Sequence, residues 1–212
     1  MLTSAIRRML CYTRDTEIHA LFLYAQTSRL FLFIYYLEFI FMSAIKHPEQ
    51  RVAIFIDTQN LYHSARNLYK ARVNFQNVLK DALAGRKLVR AIAYVITSEA
   101  GDEEAFFDAL TKMGIETKTK DLQVFAGGSK KGDWDVGLAV DAIKMAPRLD
   151  TVIIVSGDGD FIPLVQYLQT MTQVEVISFG KSTSMKLKEV VDDFVDLSEN
   201  PRRYLIGTGR GK

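Results

Sequence analysis

The residues best placed for chemistry are four aspartates. An apolar run at 52–56 ends in Asp57, and a second run, at 151–155, breaks abruptly into Ser156-Gly157-Asp158-Gly159-Asp160. Asp135 opens a segment in which Leu138, Ala139, Ala142, Ile143 and Ala146 recur with the spacing of one helix face, so the acid sits on the first turn of a core-facing stripe. Each aspartate alone has a plain structural explanation, because aspartate caps helix starts and is stabilised near their N-termini. Capping explains one acid well, but it explains badly two core strands that each deliver an acid to the same edge. If Asp57, Asp135, Asp158 and Asp160 share a pocket, like charges a few Å apart repel strongly unless a cation lies between them. Oxygen ligands suit a hard divalent ion, Mg²⁺ or Mn²⁺, which activates water and stabilises the leaving oxygen when a phosphodiester is hydrolysed.

The elements around these acids alternate in type. Strands are expected at 51–56, 88–97, 151–155 and 174–179, with one or two short ones within 115–125. Helices are expected from about 60 to about 70, at 74–84, 102–113, 135–146 and 161–171, and near 184–190. Gly85 and Gly114 stop two of them, and Pro147 follows a third. Strands alternating with helices imply a mainly parallel sheet covered on both faces, an α/β/α sandwich. In such sheets ligands bind beyond the carboxyl ends of the strands, where Asp57, Asp158 and Asp160 fall.

Nearby polar residues divide between function and structure. Asn60 can contact a phosphate, orient an acid or simply start a helix. Asp133 is expected to be the N-cap before Asp135. Asp141, about 240° round the helix from Asp135, is expected to be a solvated charge or a lysine's partner. Trp134 can lie over the helix start, offer a face on which a base stacks, or pack into the core. Residues 126–132 read as a flexible basic loop, and its Lys130 and Lys131, with Lys181, are the lysines expected to meet phosphate. Gly180-Lys181-Ser182-Thr183 lacks the upstream glycine that a phosphate-cradling loop needs.

Composition narrows the class. With 212 residues, 48% hydrophobic and 25% charged, the chain holds one ordinary globular domain and an extension. A formal net charge of +2 means that an anionic partner must be held by a local patch or through a metal. The single Cys11 excludes internal disulfides and a cysteine zinc cage, as expected of a reducing cytoplasm. His19, His47 and His63 show no metal-ligand spacing, which speaks against a histidine-centred mechanism. Residues 1–41 read as a separate extension. Its apolar run at 30–42 contains Glu38 and falls short of the ~20 residues that cross a bilayer. It also has no small-residue cleavage site. It is either sequence upstream of a true start at Met42 or a helix on a membrane surface or partner, and no stable membrane insertion is expected. Residues 42–198 form the domain, and 199–212 read as a short basic tail.

Three strings, FIDTQNLY at 55–62, KGDWDVGLAVDA at 131–142 and SGDGDFIPLV at 156–165, resemble in order and separation the NYN domain family, the LabA-like branch of the PIN-like nuclease superfamily. The resemblance runs from Arg51 to about Leu197. It implies a PIN-like sandwich and a Mg²⁺- or Mn²⁺-dependent ribonuclease, with Asp57, Asp135, Asp158 and Asp160 in the metal-binding positions and Asn60 on the first-motif asparagine. RNA is then the expected partner, and a second copy of the chain is left open. The rival from another class is a regulatory RNA- or protein-binding module with a vestigial pocket. A Toprim-like or phosphatase-like site fits worse, because those need a glutamate or an Asp-x-Asp after the first strand, where this chain has Asp57-Thr58-Gln59.

Overall fold

The computed structural model describes residues 46–97, 104–121, 123–124, 130–131 and 133–207. The chain divides into two units, Met1–Ser43 and Ala44–Lys212, and every described residue belongs to the second. The expected N-terminal extension, the loop at 126–129 and the last five residues therefore lie outside them.

β1 (Arg51–Asp57) is followed by α1 (Thr58–Tyr69), β2 (Arg72–Val73), α2 (Phe75–Leu83) and β3 (Lys87–Thr97). Then come α3 (Glu104–Lys112), β4 (Glu116–Asp121), the short pair β5 (Gln123–Val124) and β6 (Lys130–Lys131), and α4 (Asp135–Met145). β7 (Thr151–Val155), α5 (Ile162–Leu168), β8 (Gln173–Ser178), α6 (Met185–Val190), β9 (Asp193–Asp196), α7 (Pro201–Tyr204) and β10 (Leu205–Ile206) complete the series.

Six strands form one sheet in the order β4-β3-β1-β7-β8-β9, and every pairing in it is parallel. The apolar runs are continuous because both faces of these strands are covered. Val52, Ile54 and Ile56 join one core with Leu61, Val78 and Leu110 from α1, α2 and α3. Ala53 and Phe55 join a second core with Leu138, Val165 and Leu187 from α4, α5 and α6. Strand order runs outward in opposite directions from β1 and β7, and a crevice opens at that reversal beyond the strand ends.

Three local features differ from the sequence expectation. Trp134, not Asp133, occupies the N-cap position of α4, without a side-chain cap. Ile143 is 38% exposed, so the buried stripe of α4 is Leu138, Ala142 and then Ala146, four residues apart, rather than the wider face. Lys130 and Lys131 pair antiparallel with Val124 and Gln123, which places part of the expected loop in a two-residue ladder. The sequence after Leu197 also folds back: β10 pairs antiparallel with β2, Tyr204 and Leu205 are buried, and the Arg203 guanidinium donates to both Asp81 carboxylate oxygens at 2.6 Å. A basic tail thus contributes core.

The opposite edge of the sheet carries a buried ion pair. Arg86 donates from Nη1 and Nη2 to the two carboxylate oxygens of Glu175 at 2.6 and 2.8 Å, and both side chains are essentially inaccessible. Its Nε and Nη2 also reach the Leu83 and Ala82 carbonyls, and Gln173 donates to Glu175. The charges are thus fully partnered, the condition under which such a pair is tolerated in a core.

Candidate active site

The two central strands meet their site through reciprocal hydrogen bonds. Asp57, the last residue of β1, caps α1 by accepting the Asn60 N–H at Oδ1, 3.1 Å. Its Oδ2 accepts the Ser156 hydroxyl at 3.0 Å. Asn60 returns the link, its Oδ1 accepting the Gly157 N–H at 2.9 Å. The exit loops of β1 and β7 are therefore tied twice, across 99 and 97 positions of sequence. Gly157 also lets the β7 exit pack against the β8 exit, since a Cβ there would lie 2.8 Å from Ser178 Oγ and 2.9 Å from Thr183 Oγ1. Asp158 accepts the Asp160 N–H at 2.9 Å and so caps the short 3₁₀ turn Gly159–Phe161.

A cavity of about 200 Å³ opens between these loops and the start of α4, lined by Asp57, Asp135 and Asp158 together with Asp133, Gln59, Asn60, His63, Tyr94, Ile96 and Trp134. Three of the four expected aspartates thus share it. Asp160 is exposed and does not line it, though its charge reaches Asp135. Burial pushes the Asp57 carboxyl up, against the hydrogen bonds from Asn60 and Ser156 and with the Asp158 charge adding to the rise. Asp135 is pushed up to about 6, first by burial and then by the charges of Asp57, Asp133, Asp158 and Asp160. Repulsion among the acids, inferred from their spacing, is thus present in the folded protein.

The remaining residues take definite places. Asp141 faces away from this group, binding the Lys118 ammonium at 2.6 Å and the Tyr94 hydroxyl at 2.7 Å. Burial and that acceptor raise the Tyr94 phenol, which therefore stays protonated. The Trp134 indole N–H donates to the Val95 carbonyl at 3.0 Å. Lys181 is exposed on the turn after β8 and lies outside the cavity lining. Lys130 and Lys131 lie on β6, on the segment that leads into α4. Asp133, Gln59 and His63 were missed as lining residues. His63 lies four residues after Gln59 on α1, and that i, i+4 spacing is the signal that could have paired them.

The donor set suits a hard divalent cation, being all carboxylate with two groups that burial and mutual repulsion make costly to ionise. Among the described residues, however, no three acid, histidine or cysteine side chains already converge closely enough to grip an ion. The Asp57 and Asp158 carboxylates are engaged by neighbouring N–H and hydroxyl groups instead.

A parallel α/β sheet with a carboxylate-lined cavity at its strand-order reversal defines a class of doubly wound folds that bind ligands beyond the carboxyl ends of their strands. Within it the chain belongs to the NYN domain family, whose model matches residues 51–198. It is 27% identical over 162 residues to the low amplitude and bright protein LabA of Synechococcus elongatus, covering 70% of this chain and 84% of that protein. An uncharacterized protein of Methanocaldococcus jannaschii is 26% identical over 157 residues. That match covers 71% of this chain but only 57% of the relative. A crystal structure of a protein of unknown function from Vibrio parahaemolyticus superposes with a TM-score of 0.69 at 34% identity, over 77% of this chain and 100% of that one.

Proposed function

We propose that the chain is a metal-dependent ribonuclease that hydrolyses RNA phosphodiester bonds. The observation that carries this is the gathering of Asp57, Asp133, Asp135 and Asp158 around one cavity, with Asp135 raised to about 6. Asp57, Asp135 and Asp158 are the residues that would hold Mg²⁺ or Mn²⁺, with Asp160 at the rim. A bound ion of this kind supplies an activated water and charge stabilisation for the departing oxygen. The protein's own part is placement. Asn60 and Ser156 fix the Asp57 carboxylate and the β7 exit loop against each other, and the Asn60 Nδ2, which meets no acceptor among the described residues, would donate to a substrate phosphate. Lys130, Lys131 and Lys181 are the basic residues proposed to meet the RNA backbone beyond the cavity.

The test is loss of end-labelled RNA with Mg²⁺ or Mn²⁺, abolished by EDTA and by Asp57→Asn or Asp158→Asn. The rival, a binding module with a vestigial pocket, is favoured by the carboxylates that do not yet converge. RNA that stays intact in Mg²⁺ and Mn²⁺ while still binding the protein would establish it.

A further inference from the structure

The cavity wall is lined by two chemically different sets of residues, and metal-assisted hydrolysis accounts for only one. Alongside the aspartates, part of this wall carries Trp134, Ile96, Tyr94 and, from α1, Gln59 and His63. Trp134 is fixed rather than mobile. Its N–H is spent on the Val95 carbonyl, its ring packs 5.5 Å from that of Tyr94, and it lies so close over Gly137 that a Cβ there would come within 2.4 Å of the ring. With its only donor consumed, the indole can offer a ligand nothing but its aromatic surface. The Lys120 ammonium lies 5.9 Å from the ring centroid and donates to the Asp133 carbonyl, putting a cation at the same margin. Gln59, whose side-chain amide forms no hydrogen bond among the described residues, adds a group that can both donate and accept.

We propose that this wall is a nucleobase subsite: an unpaired base stacks on Trp134 and meets the Gln59 amide at its polar edge, which sets its phosphate beside the aspartates. The inference deepens the ribonuclease reading and rests on it only for the phosphate. A base can stack on the indole only with its own face free, so the nucleotide must leave any duplex before it enters. Stacking tolerates every base, because each has a π-face, while an amide edge gives a modest preference among them. The substrate is therefore single-stranded RNA or an unpaired position in a folded one.

Trp134 is the only tryptophan in the chain, so its fluorescence reports on this subsite alone. Adenosine, guanosine, cytidine and uridine are titrated against the full chain in EDTA, with ribose and free N-acetyltryptophanamide as controls. The expected result is saturable quenching by nucleosides, none by ribose, and only linear collisional quenching of the free indole. Gln59→Ala, which leaves the reporter in place, should change the ranking of the four nucleosides. Trp134→Ala should weaken the binding of labelled single-stranded RNA roughly tenfold, with Trp134→Phe intermediate. Linear quenching matching the free indole, or RNA affinity unchanged in Trp134→Ala, overturns the proposal. Nucleosides carry no phosphate and need no metal or turnover. Quenching without RNA cleavage therefore rejects the ribonuclease reading alone, and cleavage without quenching rejects the subsite alone.

Discussion

Removing the charge of Asp135 should stabilise the ion-free protein, and by an amount that depends on pH in a defined direction. A carboxyl lifted from 3.8 to about 6 keeps its proton in the folded state over a range where the unfolded chain has lost it. Between those values the folded state binds more protons, so stability falls as pH rises. It is least penalised below about pH 4 and carries the whole cost above about pH 6. At about 1.4 kcal/mol per pH unit the upper bound is about 3 kcal/mol, and solvent screening at this partly exposed group reduces it to about 1–2 kcal/mol. Asp135→Asn removes the ionisation and keeps the shape. For a domain of this size it should raise Tm by roughly 3–6 °C at pH 7.5 in EDTA and have little effect at pH 4. Thermal melts of both proteins from pH 4 to 8 measure this. Mg²⁺ or Mn²⁺ should then stabilise the wild type more than the variant, closing the gap by mass action. A variant less stable than wild type at pH 7.5, or two parallel pH profiles, would refute the account, since simple capping makes the acid stabilising at every pH above its ionisation.

Three further outcomes follow from other parts of the molecule. Asn60→Ala leaves the Gly157 N–H without its acceptor and should cost about 1–3 kcal/mol by urea denaturation, with RNA cleavage falling alongside. Arg86→Met takes the bidentate partner from the buried Glu175, leaving it Gln173 and the Lys46 ammonium 3.8 Å away, and should cost up to about 3–5 kcal/mol, most of it regained when Glu175→Leu is added; a double variant no better than the single one would contradict this. Replacing Lys130 and Lys131 with alanine should weaken RNA binding across sequences and flatten its salt dependence, and an unchanged slope would take β6 off the binding surface.

The sheet was legible because burial on both faces forces continuous apolar runs, and those at 52–56 and 151–155 could hardly be anything else. Asp57 and Asp158 were legible with it, since a strand's end fixes where the next side chain must be. Asp135 was read through a helical period that the structure keeps at Leu138, Ala142 and Ala146, with Ala139 packed partly buried against the same core; the first turn held although Ile143 turned outward. Alternation along a tight turn does not decide which of two acids faces inward; here Asp158 takes both the cap and the cavity lining, while Asp160 is exposed beside it and reaches Asp135 through its charge. The C-terminal return was hidden because Arg202 and Arg203 outweigh Tyr204 and Leu205 in composition, while the contact that fixes them, at Asp81, lies 122 residues away. Trp134 and Gly137 were illegible as a pair, since only the folded helix start shows an indole lying where a side chain at 137 would be.

The double tie between the two strand exits also bears on when the site can exist during synthesis. A chain leaving the ribosome presents Asp57 and Asn60 long before Ser156 and Gly157 have been added, and β1 lacks one of its two sheet neighbours until β7 emerges. Until then the first acid has no hydroxyl to hold it and no second loop to face. A nascent chain that has not yet reached β7 therefore lacks this cavity, whatever acids it already carries. The long sequence separation makes closure a late event in folding, one that waits on β7 rather than on the acids of β1.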